Sequence, residues 1–181
     1  MPKLTLANNY LHTYAHLDFD NFNRKYKPNK GFKLKSEFRA IARQKEGTQF
    51  FDASSVAYVK YDQAIKLGNK IGINTTLLAA ATLGADLDLP YNIYFGGLGE
   101  NYNNYIFPFL GYRYMELFGR NAVMGRLDFY IEPAKNHFIT FKANAGKLEA
   151  TVDGLFNESI LLDGYGVSYG YSSPFGPLEF T

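Results

Sequence analysis

The sequence predicts an all-β fold of antiparallel, up-and-down type, about eight strands in one domain over residues 1–181, and three observations carry that prediction. Apolar and polar residues alternate with period two in segments of roughly 8 to 13 residues. Clusters of Gly, Asn, Asp and Pro separate the segments. The composition suits strands and turns, with 15 Tyr, 16 Phe and 17 Gly and neither Cys nor Trp.

Taken in order, the first strand covers residues 11–20, where Leu11, Leu17 and Phe19 stand opposite His12, Tyr14, His16 and Asp18. From Gly31, Phe32, Leu34, Ser36, Phe38 and Ala40 share one face, and Lys33, Lys35, Glu37 and Arg39 share the other. Softer alternation covers residues 55–67 and 71–83. From Asn121, Val123, Leu127, Phe129 and Ile131 oppose Arg126, Asp128, Tyr130 and Glu132. From His137, Ile139, Phe141 and Ala143 oppose Thr140, Lys142 and Asn144. Between Asp163 and Pro174, Tyr165, Val167, Tyr169 and Tyr171 alternate with Gly164, Gly166, Ser168, Gly170 and Ser172. Residues 178–181 begin an eighth strand.

Some joins are short, such as Gly68-Asn69-Lys70 and Ala134-Lys135-Asn136, and others long and polar, such as residues 148–161. The segment 84–120 does not alternate and contains Gly96-Gly97-Leu98-Gly99 and Asn101-Tyr102-Asn103-Asn104-Tyr105. A loop of that length in a compact domain is expected to be functional.

Composition excludes several classes. With 19 basic and 17 acidic residues the net charge of +2 gives no electrostatic case for nucleic acid. The absence of Cys removes thiol nucleophiles and cysteine metal sites. No run approaches the roughly 18 to 20 apolar residues of a spanning helix. The start Met1-Pro2-Lys3-Leu4-Thr5 has no apolar core segment, so no signal peptide is expected within this chain.

Two constellations invite a chemical reading. Gly166-Val167-Ser168-Tyr169-Gly170 matches the G-x-S-x-G nucleophile elbow, but an elbow needs a sharp strand-to-helix turn and these residues continue an alternating strand, so no catalytic residue is expected. His12, His16, Asp18 and Asp20 share a face, yet next-but-one residues on a strand stand about 7 Å apart, so polar wall residues are expected rather than a metal site. Neither metal nor cofactor is expected.

Parity leaves two architectures open. In a soluble barrel or single-sided sheet the apolar face is the core; in a wide membrane barrel it meets lipid, and the charged face lines a wet lumen.

The C-terminal motif favours the second. Residues 163–181, in which a glycine-alternating strand runs into Ser173-Pro174-Phe175-Gly176-Pro177-Leu178, resemble the late strands of the bacterial surface antigen family, the BamA-like barrel of outer-membrane assembly and two-partner secretion translocators. Asp20 to Gly31, with Asn23 and Pro28, resembles that family's D-x-x-D-x-x-x-x-P-x-K/R-G turn, Asn23 standing where a second Asp is usual. Gly96-Gly97 with Phe109-Leu110-Gly111-Tyr112-Arg113 resembles its G-G…V-R-G-F/Y element, with Leu110 in place of the arginine. Tyr112-Arg113-Tyr114-Met115-Glu116-Leu117 and Glu132-Pro133-Ala134-Lys135-Asn136-His137-Phe138 look closest to the barrel that ends bacterial patatin-like phospholipases.

The resemblance implies a transmembrane barrel of sixteen strands, of which this chain holds about the eighth to the fifteenth, in a bacterial outer membrane. It implies that the segment 84–120 lies between the fourth and fifth strands present and plugs or gates the lumen. Gly111, Tyr112 and Arg113, with Arg126, Asp128 and Glu132 on the following strand, are the residues expected to hold it, while Lys33, Lys35, Glu37 and Arg39 are expected to face the lumen. The expected role is to anchor or translocate an attached passenger domain, with no catalysis by this segment; the rival expectations are a lipid hydrolase activity carried elsewhere in a patatin-like parent, or a soluble lipid-binding barrel. The expected partners are outer-membrane lipid and the remaining strands and passenger of the parent. The short last strand and two unpaired edges lead us to expect a fragment, which alone is expected to curl or to associate edge to edge.

Overall fold

The computed structural model describes residues 9–44, 51–85, 91–98, 105–157 and 160–181. Strands β1 (Asn9–Asp20), β2 (Gly31–Gln44), β3 (Phe51–Lys66) and β4 (Ile71–Gly84) come first, then the short β5 (Ile93–Phe95), β6 (Ile106–Phe107) and β7 (Leu117–Gly119). They are followed by β8 (Asn121–Ala134), β9 (His137–Glu149), helix α1 (Val152–Asn157), β10 (Leu162–Ser173) and β11 (Gly176–Phe180). The long strands form one antiparallel sheet of eight in the order β1-β2-β3-β4-β8-β9-β10-β11. This sheet is open: β1 and β11 are its two ends.

Local chemistry sets the joins. Between β8 and β9, Ala134 pairs with His137, and the chain reverses through Lys135 and Asn136, of which Asn136 takes the left-handed conformation that Asn tolerates in tight turns. Just before it the register slips between Ile131 and Ala134, where Pro133 has no N–H to give the ladder. Three joins at this end of the sheet, 67–70, 135–136 and 174–175, are tight, and the fourth, 21–30, folds back on itself, whereas the opposite end carries the segment 85–120 and the connection holding α1. Transmembrane barrels show this asymmetry, with short turns on the periplasmic side and long loops outside.

Side-chain parity divides the sheet as the alternation predicts. Leu77, Leu127, Phe141, Tyr165, Val167 and Tyr169 all point outward and are exposed, Tyr165 at 74%. The inward positions of β9 and β10 are closed by contrast, with Thr140, Lys142, Asn144 and Ser168 buried. A soluble lipid-binding barrel would place its greasy face inside, so this arrangement contradicts that expectation.

The inward face is not uniformly polar. Toward the short-turn end it bears ions: Lys33 with Asp20 at 3.0 Å, Lys35 with Asp18 at 3.8 Å, and Arg126 with Asp128 at 2.8 Å. Toward the long-loop end it turns apolar, through Ile41, Val56, Tyr58, Leu78, Ala80, Ala122 and Met124. The segment between β4 and β8 folds onto that apolar half as a second small sheet in the order β6-β5-β7. Ile93, Phe95 and Phe109 of this segment reach 0% exposure, and Phe95 and Phe109 stack at 5.1 Å. Each such ring removed from water contributes about 1.5–3 kcal/mol. The segment expected to be an irregular loop therefore has its own strands and core, and it covers the apolar half of the inward face, where a wet wall was expected. Gly99 and Asn101 to Asn104 of its Gly/Asn-rich run lie outside the described residues.

Candidate functional site: a lumenal plug and its anchor

The plug is tied at its stem. Arg120 donates from Nη2 to the carbonyls of Gly84 (3.1 Å) and Ala85 (3.4 Å), closing the two ends of the segment on each other. Inside, Gly97 N donates to Tyr112 O at 3.0 Å and Phe109 N to Gly97 O at 3.1 Å. The two halves of the sequence motif, Gly96-Gly97 and Phe109 to Arg113, are thus hydrogen-bonded together. Gly96 has φ +136°, and a Cβ there would run into the Arg113 carbonyl, so this junction requires glycine.

Three contacts fix the plug to the wall. On β2, Glu37 is 3% exposed and accepts a hydrogen bond from the Tyr105 hydroxyl at 3.0 Å. Arg39 Nη2 lies 2.8 Å from the same carboxylate, and its guanidinium sits over the Tyr105 ring at 5.2 Å. His16 of β1 approaches the carboxylate from the other side at 3.9 Å. Burial and then the negative charge of Glu37 push the Tyr105 phenol above the usual tyrosine range, so its hydroxyl remains a donor. Higher on the same wall, Tyr91 pairs with His12 Nε2 at 3.0 Å.

The third contact lies on β9 and β10. Leu110 N donates to Asn144 Oδ1 at 2.9 Å, and the Leu110 carbonyl passes so close to Gly164 that a Cβ there would overlap it. Gly146 leaves similar room for the rings of Phe109 and Phe95. The glycines of these strands are spaces into which the plug fits.

From the short-turn side, the connection between β1 and β2 also reaches inward. Asn21 Oδ1 accepts from Phe32 N at 2.6 Å, and Asn23 Oδ1 accepts from Asn29 N and Lys30 N, both at 3.2 Å. Asn23 supplies here the acceptor that an Asp would supply. The turn then inserts Tyr26 into the gap left by Gly170 and buries Lys27 to 8% exposure. Glu179 of β11 meets Lys27 at 3.4 Å, the Tyr26 hydroxyl at 3.0 Å, and Lys142. Burial lowers the Lys27 ammonium from its ordinary value against the opposing pull of Glu179.

The residues expected to hold the plug divide into two groups. Gly111 lies at the contact with the wall, where a Cβ would stand 3.6 Å from Gly164 Cα, and Tyr112 packs behind it within the plug, on Phe109 at 5.7 Å. Arg113 does not share that position; it is exposed, and what it contributes is backbone, its N–H donating to Glu116 Oε2 at 2.6 Å. Arg126 and Asp128 bind each other and line the cleft beneath Leu98 and Pro108 of the plug. Glu132 sits at the far, short-turn end and accepts from Asn136 N at 3.1 Å, so it cannot reach the plug. Arg39, from the wall, sits over a plug ring, that of Tyr105.

Lys33, Lys35, Glu37 and Arg39 all fall on the inward side. Each faces a complementary residue of β1 in register: Lys33 with Asp20, Lys35 with Asp18, Glu37 with His16 and Arg39 with Tyr14. Opposite charges on facing strands stabilise the pairing. Ser168 is 2% exposed on the extended β10 and occupies no elbow. Among the described residues no group of three or more His, Cys, Asp or Glu side chains could hold a metal ion.

Tyr91, Tyr105, Asn144 and Gly164 were absent from the sequence-based set. The signal for Gly164 was present, since a strand that alternates glycine with aromatics leaves one face empty. Tyr105 had no such signal.

The model of the OMP85 superfamily matches residues 3–181. No curated protein matches the chain. The barrels of this superfamily are outer-membrane proteins of translocator or insertase type and are generally non-enzymatic, which agrees with an outward apolar belt and an inward plug. On the strength of that match over nearly its whole length, the chain belongs to the OMP85 superfamily and is an outer-membrane β-barrel domain.

Proposed function

We propose that this chain supplies the later half of a sixteen-stranded barrel that anchors or translocates an attached passenger, and that the plug gates its lumen. The carrying observation is the plug seated on the inward wall by Tyr105, Glu37 and Arg39. Among the described residues the sheet has free strands at both ends, and lipid cannot satisfy their backbone groups. The remaining strands of a parent barrel satisfy them, or, for the chain alone, a second open sheet does. Gly111 and Tyr112 hold the plug against Gly164 in this reading, with Glu37 and Arg39 as the ionic anchor and Arg126 and Asp128 as the floor.

The patatin-type likeness of the sequence at residues 112–117 and 132–138 supports a lipid-hydrolysing passenger whose nucleophile lies in another domain. Ser168→Ala in the full protein then leaves lipase turnover unchanged, and loss of turnover would overturn this. The gating reading is tested by single-channel conductance in planar bilayers. Deletion of residues 91–119 is expected to raise conductance severalfold; unchanged conductance contradicts a plug.

A further inference from the structure

The outward wall is not a smooth belt. Between β3 and β9 it is indented by a groove of about 480 Å³ whose lining is almost wholly apolar. Its floor is set by three small residues, Ala79, Gly125 and Ala145, on the outward face of three adjacent strands. Leu77 and Val59 form one bank, and Leu161, arriving from the connection that carries α1, forms another. A Cβ built on Gly125 meets only Leu77 Cδ2, at 3.9 Å, so the hollow follows from residue size and not from backbone distortion.

One end of the groove is polar. Lys147 lines it there, and its ammonium donates to the Leu155 carbonyl of α1 at 3.0 Å. This end lies toward the long connections, which in a transmembrane barrel is the external side. Glu149 and Asp163 share the outward face nearby, so the rim is no cationic patch and offers an anionic headgroup no particular attraction. What the groove offers is shape and apolarity.

From this we infer a lipid site: the groove holds one acyl chain of an outer-leaflet lipid, its polar end beside Lys147. Such a site requires only that the chain be a membrane barrel, as its superfamily membership shows, and no particular passenger. The groove is continuous with the exposed belt formed by Leu77, Leu127 and Phe141. Hydrocarbon surrounds that belt, and a hollow left empty in it would forfeit the dispersion contacts of all its lining atoms. A volume of this size falls in the range of ordinary small-ligand sites.

The test is native mass spectrometry of the protein released gently from membranes, counting retained lipid. Ala145→Leu fills the groove, while Ala143→Leu makes the same change two residues along the same outward face, outside it. Retention of one lipid per chain is expected for the parent sequence and Ala143→Leu, and a drop of about tenfold in its affinity for Ala145→Leu, equivalent to about 1.4 kcal/mol. Ala79→Leu serves if Ala145→Leu does not insert. Equal retention in all variants overturns the site, as does a protein dimer lost specifically on filling, which would make a second copy the occupant. Either failure leaves the barrel assignment standing, since that is read from labelling of the belt as a whole.

Discussion

Glu37 is a carboxylate sealed from water whose charge is balanced by Arg39, by the Tyr105 hydroxyl and by His16 at longer range. Removing one donor from such a buried charge costs more than the hydrogen bond itself is worth. Tyr105→Phe is therefore expected to weaken the plug by about 1–3 kcal/mol, seen as more frequent channel openings, with global unfolding little changed. The same pair gives a pH dependence with a definite sign. A phenol whose pKa is raised in the folded state lends its full stabilisation below the unfolded value and loses it as pH rises. The plug should thus hold through neutral pH and loosen above about pH 10, and Tyr105→Phe should remove that part of the profile. Open probability that does not change with alkaline pH in the parent protein would contradict the anchor.

At the scale of elements, β10 alternates glycine with aromatics because its two faces do opposite jobs. Tyr165, Val167 and Tyr169 meet the outside, while Gly164 and Gly170 yield space to Leu110 of the plug and Tyr26 of the inserted turn. Gly164→Ala should displace the plug while leaving the strand paired, detectable as faster proteolysis within residues 91–119 at unchanged strand content. Equal proteolysis rates would show that Gly164 is not a seat. In the turn between β1 and β2, Asn23→Ala removes the acceptor for two backbone N–H groups and should cost about 1–2 kcal/mol, whereas Asn23→Asp should cost little. Denaturant midpoints of the two variants distinguish them. These elements were legible in the sequence to different degrees. The long strands, their faces and the compact turns follow from period-two alternation and turn residues, and the turn motif was readable with Asn in place of Asp. The three short strands of the plug were not, because two or three residues cannot display a period. The apolar half of the inward face was hidden for a related reason: Ile41, Val56 and Leu78 sit on the face whose other members are charged or polar, and only the plug explains why they are there. Arg113 and Glu132 were drawn into the expected anchor by motif position and strand parity, neither of which says how far along the barrel a residue lies.

At the scale of the molecule, one sheet has lipid on its outer surface and a plugged lumen inside, so substitutions should divide by face. Arg placed at Leu127, on the outward belt, is expected to cost about 2–4 kcal/mol in a bilayer, whereas Arg at inward Thr76, beside Asp62, should be tolerated. The most direct test is site-directed spin labelling of the membrane-inserted protein. This chain contains no cysteine. Nitroxides at Leu77, Leu127, Phe141 and Val167 are expected to be reached by oxygen dissolved in the bilayer and shielded from a water-soluble nickel relaxant, and nitroxides at Thr76, Arg126 and Asp128 to show the reverse. Equal exposure of both sets to the aqueous relaxant would contradict the assignment of faces on which the barrel, the plug and the lipid groove all depend.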